Sequence, residues 1–179
     1  THAKQRGMTY HSFLEGVLKG AQQAESEFGI VSKYIMNGIR HLGSDSVKKT
    51  ADEVLKNPHD DLVGFGLAGD ELHFPPEIFT KTFDMLQEAR FPITVHAGEW
   101  DGPERIRDAI KLLHPTRLGH GVRSIEDPAL VELIKELDII LETCPTSNVA
   151  TKIYKNYQDH PVKKLFDQGV KITVNSDDP

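Results

Sequence analysis

ITVHAGE, residues 93–99, is the stretch that decides the fold. Ile93, Thr94 and Val95 read as a short buried strand, and that strand runs straight into His96, a bendable Ala97-Gly98 pair and an acid, Glu99. The same junction of apolar strand and polar end recurs along the chain. Phe65-Gly66-Leu67 leads to Ala68-Gly69-Asp70-Glu71, and Arg117-Leu118 leads to Gly119-His120-Gly121. Ile140-Leu141-Glu142 leads to Thr143-Cys144-Pro145-Thr146-Ser147-Asn148, and Val174 leads to Asn175-Ser176-Asp177-Asp178.

Helical patterns separate these strands. Thr9 is placed to cap a helix with Phe13, Leu14, Val17, Leu18 and Ala21 on one face, and a strand is expected around Ile30–Ile39. Ser44 opens a second helix that points Val47, Ala51, Val54 and Leu55 inward. Pro75-Pro76 opens a third through Phe79, Phe83 and Leu86, and Pro103 a fourth with Ile106, Ile110 and Leu113. Asp127-Pro128 pairs a capping acid with proline at the first helical position, and a short helix over Pro161–Gln168 is closed by Gly169. The remaining strands are expected over Leu62–Leu67, Arg117–Val122, Ile139–Glu142 and Lys171–Asn175.

Strand alternating with helix predicts parallel β-strands joined by crossovers. An open doubly wound sheet gathers its ligand site mainly at one switch point, whereas a barrel brings every strand's carboxyl end to one face. Polar clusters at the ends of strand after strand therefore favour an α/β fold of the TIM-like (β/α)8 barrel kind. It is incomplete here, with about six of the eight strands, and residues 1–179 are expected to form a single partial barrel domain.

Composition narrows the partners. The chain has 179 residues, 38% hydrophobic and 27% charged, with a net charge of −6 and acids spread throughout. That balance speaks against nucleic acid and against an anionic membrane surface, both of which need a basic face. No apolar run is long enough to span a bilayer, and no signal-peptide pattern opens the sequence. The single cysteine, Cys144, excludes an internal disulfide and fits the reducing cytoplasm.

Taken singly, each polar cluster also has a plain structural reading. Asp177 and Asp178 can cap a following helix, Gly69-Asp70-Glu71 can be a turn, and His120 can be a hydrogen-bonded residue between glycines. Seven other histidines, His160 among them, read as surface or packing residues. Taken together, the clusters suit metal-assisted hydrolysis. His96 offers an imidazole and Asp177 a carboxylate to a divalent ion such as zinc, Glu99 reaches the same cavity, and His120 is placed to hold or deprotonate a water.

His96-Ala97-Gly98-Glu99, Leu118-Gly119-His120-Gly121, Leu67-Ala68-Gly69-Asp70-Glu71 and Asn175-Ser176-Asp177-Asp178-Pro179 resemble, in kind and in order, the adenosine deaminase family of the amidohydrolase superfamily. The resemblance implies hydrolytic deamination of adenosine, and of 2'-deoxyadenosine, to inosine and ammonia by a zinc-activated hydroxide attacking C6. One Zn2+ per site is implied, held by His96 and Asp177, with Asp177, Glu99 and His120 as the catalytic groups. Glu99 would give a proton to purine N1 and His120 would orient the hydroxide. Gly69 would donate its N–H to N3, and Asp178 would bond N7.

The family's His-x-His strand, which supplies two further zinc ligands, has no counterpart in residues 1–179, and the family continues past Pro179. The sequence is therefore expected to be part of a longer enzyme, with weak zinc binding, exposed sheet edges and no useful turnover in these residues alone. The alternatives are adenine deaminase or another 6-aminopurine deaminase of the same superfamily, and an inactive barrel that binds purine nucleosides. In each case the partner is a small purine.

Overall fold

The computed structural model describes residues 6–177. Helix α1 (Tyr10–Phe28) is followed by β1 (Tyr34–Ile39), α2 (Ser44–Lys56), β2 (Leu62–Ala68), α3 (Thr80–Glu88) and β3 (Ile93–Ala97). Then come α4 (Pro103–Leu113), β4 (Arg117–His120), α5 (Pro128–Glu136), β5 (Ile140–Thr143), α6 (Pro145–Ala150), α7 (Val162–Asp167) and β6 (Ile172–Val174). The strands form one sheet in the order β1-β2-β3-β4-β5-β6, parallel at every pairing. Sequential parallel strands linked by helices give the partial (β/α) barrel that the strand ends predicted.

Alternation along each strand divides the sheet into two faces. On one face Phe65, Leu67, Val95, Leu118 and Leu141 join Val47, Phe83, Leu86, Ile106, Leu113, Leu130 and Ile134 from the helices in a continuous buried core. Phe65 and Phe83 meet edge to face with ring centroids 6.0 Å apart. The other face carries polar groups. Thr94 Oγ1 donates to Glu142 Oε2 at 2.7 Å, and Arg117 Nε donates to Glu142 Oε1 at 2.6 Å, so β3, β4 and β5 are tied across that face by one carboxylate.

Local signals behave as their chemistry requires. Thr9 Oγ1 accepts from Ser12 N at 3.1 Å at the start of α1. Asp127 Oδ1 accepts from Ala129 N and Leu130 N at 3.0 and 3.2 Å before α5. Several boundaries differ from the sequence expectation, and β3 runs through His96 to Ala97 where it was expected to end at Val95. β1 starts at Tyr34, not Ile30, because Gly29 turns the chain at φ 69° after α1 and the first sheet bond is Tyr34 N to Asp61 O at 2.7 Å. β4 ends at His120, whose φ of 61° and that of Gly121 at 63° take the backbone out of the extended region. β6 is confined to Ile172–Val174, and the turn after Pro75 is a 3-10 helix over Pro76–Phe79 that precedes α3. Helix α6 has no counterpart in the expectation, since its six residues are too few to carry an apolar periodicity.

Among the described residues no helix is long and apolar enough to cross a membrane. The outer edges of β1 and β6 have no strand partner among the described residues, and Ile35 and Val174 on them are exposed.

Phe83 is fully buried in the shared core. Phe83→Ala is expected to lower unfolding free energy by about 3–5 kcal/mol, read from the urea midpoint of the full-length protein.

Candidate active site

The parallel register fixes which strand ends become neighbours. His96 lies beside Gly119 and Ala97 beside His120. A side chain at position 119 would collide with His96, since a Cβ there would stand 2.5 Å from the imidazole Cδ2. Glycine at 119 is thus what leaves room for the His96 ring beside β4. His120, one residue on, turns left-handed and brings its ring edge to face with His96, centroids 5.1 Å apart.

His120 Nε2 lies 3.4 Å from Glu99 Oε2 and 3.7 Å from Asp177 Oδ2. Asp177 arrives from the end of β6 and is itself left-handed at φ 61°. Its loop is fastened to β5 by Asn175, whose backbone N–H donates to Thr143 O at 2.9 Å and whose side-chain amide donates to Thr173 Oγ1 at 3.0 Å. Left-handed φ in residues other than glycine costs on the order of 1 kcal/mol or more each, which surrounding bonds must offset. His96, Glu99, His120 and Asp177 thus come together from three strand ends. Asp178 lies outside the described residues.

Burial sets the protonation of the group. His120 is 1% exposed, and burial, then the neighbouring His96, push its pKa down to about 4. Burial lowers His96 as well. Both rings are therefore neutral at ordinary pH, the form that ligates metal. Glu99 moves the other way, up to about 7, through burial first and then the charges of Asp177 and Glu71.

The donors fit part of a zinc site. His96, Glu99 and His120 present ligand atoms within 4.8 Å of one another, and so do His120, Cys144 and Asp177. Neutral imidazole and carboxylate are ordinary zinc ligands. Cys144 suits less well, because burial, then Asp177 and Glu99, push its thiol up to about 12 and keep it protonated.

A cavity of about 410 Å3 adjoins the group, lined by Gly69, Asp70, Glu71, Leu72, His73, His96, Glu99 and Trp100. That falls within the roughly 300–1,000 Å3 range of small-molecule sites. Gly69 lines it at φ 96°, a conformation that suits glycine. A larger hollow of about 740 Å3 opens between α1, β1 and α2, lined by a mixture of apolar and polar side chains and by none of the predicted site residues.

Four supporting residues escaped the sequence reading. Glu71, 3% exposed, accepts backbone N–H bonds from Gly98 at 2.9 Å, Glu99 at 3.0 Å and Asp101 at 2.8 Å, and also from Trp100. One carboxylate thereby shapes the turn that presents Glu99. Arg40, fully buried, donates to Phe74 O at 2.8 Å and to His96 O at 2.6 Å. Burial brings its pKa down to about 10, so it stays charged. Asn148 is fully buried and touches both Glu99 and His120, and His160, expected at the surface or in packing, is 4% exposed and bonded to Asn148. An acid directly after Gly69-Asp70 and an asparagine at the foot of the Thr143–Asn148 stretch were the available signals; Arg40 and His160 gave none.

An interrupted parallel barrel with imidazoles and carboxylates gathered at its strand ends is the architecture of an amidohydrolase. The family profile described as adenosine deaminase matches residues 1–179, and the chain belongs to that family. It is 39% identical over 178 residues to an adenine deaminase from Sinorhizobium medicae and 40% identical over 178 residues to one from Chelativorans sp.. Each match covers 99% of this chain and 55% of the relative, so the chain spans about half the length of these proteins. Among solved structures, an adenine deaminase from Arthrobacter aurescens superposes with TM-score 0.90 at 31% identity, covering 98% of this chain and 54% of that one. An amidohydrolase from Burkhoderia ambifaria with bound Zn superposes with TM-score 0.90 at 28% identity, covering 99% and 50%.

Glu71→Ala would strand four backbone donors, each costing roughly 1–3 kcal/mol where water cannot reach. We expect faster proteolytic cleavage within residues 98–101, measured by limited digestion of the full-length protein against the parent.

Proposed function

We propose that the protein removes the 6-amino group of a purine by hydrolysis, with free adenine as its preferred substrate. The observation that carries this reading is the meeting of His96, Glu99, His120 and Asp177 beside the 410 Å3 cavity. In the overall reaction water adds at C6, the C6–N bond breaks, and ammonia leaves a 6-oxopurine. His96 and Asp177 are the proposed zinc ligands, and the zinc bound by the Burkhoderia ambifaria amidohydrolase supports the choice of metal. When bound, the ion lowers the pKa of water toward neutrality and so supplies a nucleophile under ordinary conditions.

The chain's own groups do the rest. An ordinary glutamic acid is ionised at neutral pH, whereas one pushed up to about 7 keeps a proton to donate. Glu99 gives that proton to purine N1, which draws electron density away from C6. His120, held neutral, orients the attacking oxygen toward C6. Asp177 serves as both ligand and catalytic carboxylate. Gly69, on the cavity wall, donates its N–H to N3, and Asp178 is the proposed partner of N7.

The motifs alone point to adenosine. The relatives that carry a substrate name at 39–40% identity are adenine deaminases, and they favour the free base. A small purine as the bound partner and a cytoplasmic location complete the reading.

Steady-state assays of the zinc-loaded full-length protein on adenine, adenosine and 2'-deoxyadenosine test the substrate. We expect kcat/KM for adenine to exceed that for adenosine by about tenfold or more, the scale on which a pocket shaped for one substrate rejects another. The reverse ratio would return the assignment to adenosine, and no turnover of any aminopurine would leave only a binding role. Glu99→Gln is expected to lower kcat by roughly 10²–10⁴ with zinc content unchanged. Gly119→Ala, by displacing the His96 ring, is expected to lower zinc content measured by elemental analysis.

A further inference from the structure

We infer that Asn148 and His160 are positioning residues that hold the His120 ring with its proton on Nε2, facing Glu99 and Asp177. The inference rests on the proposed role of His120 and on the donors and acceptors around its ring. Val162 N donates to His160 Nδ1 at 3.2 Å. A backbone amide only donates, so Nδ1 of His160 carries a lone pair and its neutral ring carries the proton on Nε2. That Nε2 stands 3.1 Å from Asn148 Oδ1 and donates to it.

The orientation of the Asn148 amide follows. With Oδ1 committed to His160, Nδ2 faces the site and lies 3.3 Å from both Glu99 Oε1 and His120 Nδ1. An amide NH2 has two protons and no lone pair to offer, so His120 Nδ1 must accept. With Nδ1 accepting, the ring proton of His120 sits on Nε2, which faces Asp177 Oδ2 at 3.7 Å and Glu99 Oε2 at 3.4 Å. The opposite tautomer would set N–H against N–H at the Asn148 end and leave the Nε2 lone pair facing the Asp177 carboxylate.

The chemical consequence is a definite role for His120. It meets the attacking oxygen as a hydrogen-bond donor, and the same Asn148 amide sets its spacing from Glu99. Helix α6, too short to be legible in the sequence, is the element that places this amide, and the segment before α7 supplies the histidine that orients it.

Nitrogen-15 NMR of the histidine rings in the full-length protein, with and without zinc, tests this directly. His120 and His160 are both expected with Nδ1 unprotonated and Nε2 protonated in the metal-free protein, and His120 with Nδ1 protonated would overturn the inference. Asn148→Asp places an acceptor at both ends and is expected to move the His120 proton to Nδ1, with kcat falling roughly 10- to 100-fold, the usual effect of removing an outer partner of a site group. His160→Phe frees the amide and is expected to give mixed tautomers at His120 and lower kcat with little change in KM. His160→Gln retains an N–H at the Nε2 position and is expected to recover most of the native spectrum and rate.

Folded Asn148→Asp and His160→Phe proteins with the native His120 tautomer and native kcat would also overturn it. The expected tautomers in a protein that deaminates nothing would support the hydrogen-bond assignment while sinking the proposed reaction.

Discussion

Everything at the site depends on the parallel register between β3 and β4. Parallel pairing puts the carboxyl ends of neighbouring strands on one rim, and this register sets His96 against Gly119 and Ala97 against His120. A slip of one residue would send every side chain of a strand to the opposite face and bury the imidazoles among Val95, Leu118 and Leu141. The register is held because the helix-facing residues are the apolar ones and the other face ties Thr94, Arg117 and Glu142 together.

A rim of charged and titratable groups needs support from groups that do no chemistry. Glu71 satisfies four consecutive backbone donors after β3, and Arg40 anchors the carbonyl of His96 from the turn after β1. Together they place a buried anion and a buried cation behind the turn that carries Glu99. Loss of solvent, then the charges of Asp177 and Glu71, explain why Glu99 holds its proton near neutral pH, while burial keeps the two imidazoles from taking theirs.

Much of this was readable in the chain. Strand–helix alternation and caps such as Asp127 are local, because each is set by residues within one turn or one pleat. His96, Glu99, His120 and Asp177 announced themselves by following apolar strands directly. Glu71 was read as part of a polar strand end or turn and given no role of its own, since nothing in the order of residues says that a carboxylate will reach a turn some thirty positions later. His160 was read as surface or packing because its partner, Asn148, sits in a six-residue helix with no hydrophobic period.

The sequence by itself determined a parallel α/β fold, the polar character of its strand ends, and the reactive residues standing there. Only the tertiary structure decided which of those ends are neighbours, which buried groups hold them, and how burial divides the protons among them. The reason is physical: helix caps and strand alternation act over a few residues, whereas desolvation and charge–charge coupling depend on distances in space that the order of residues does not fix.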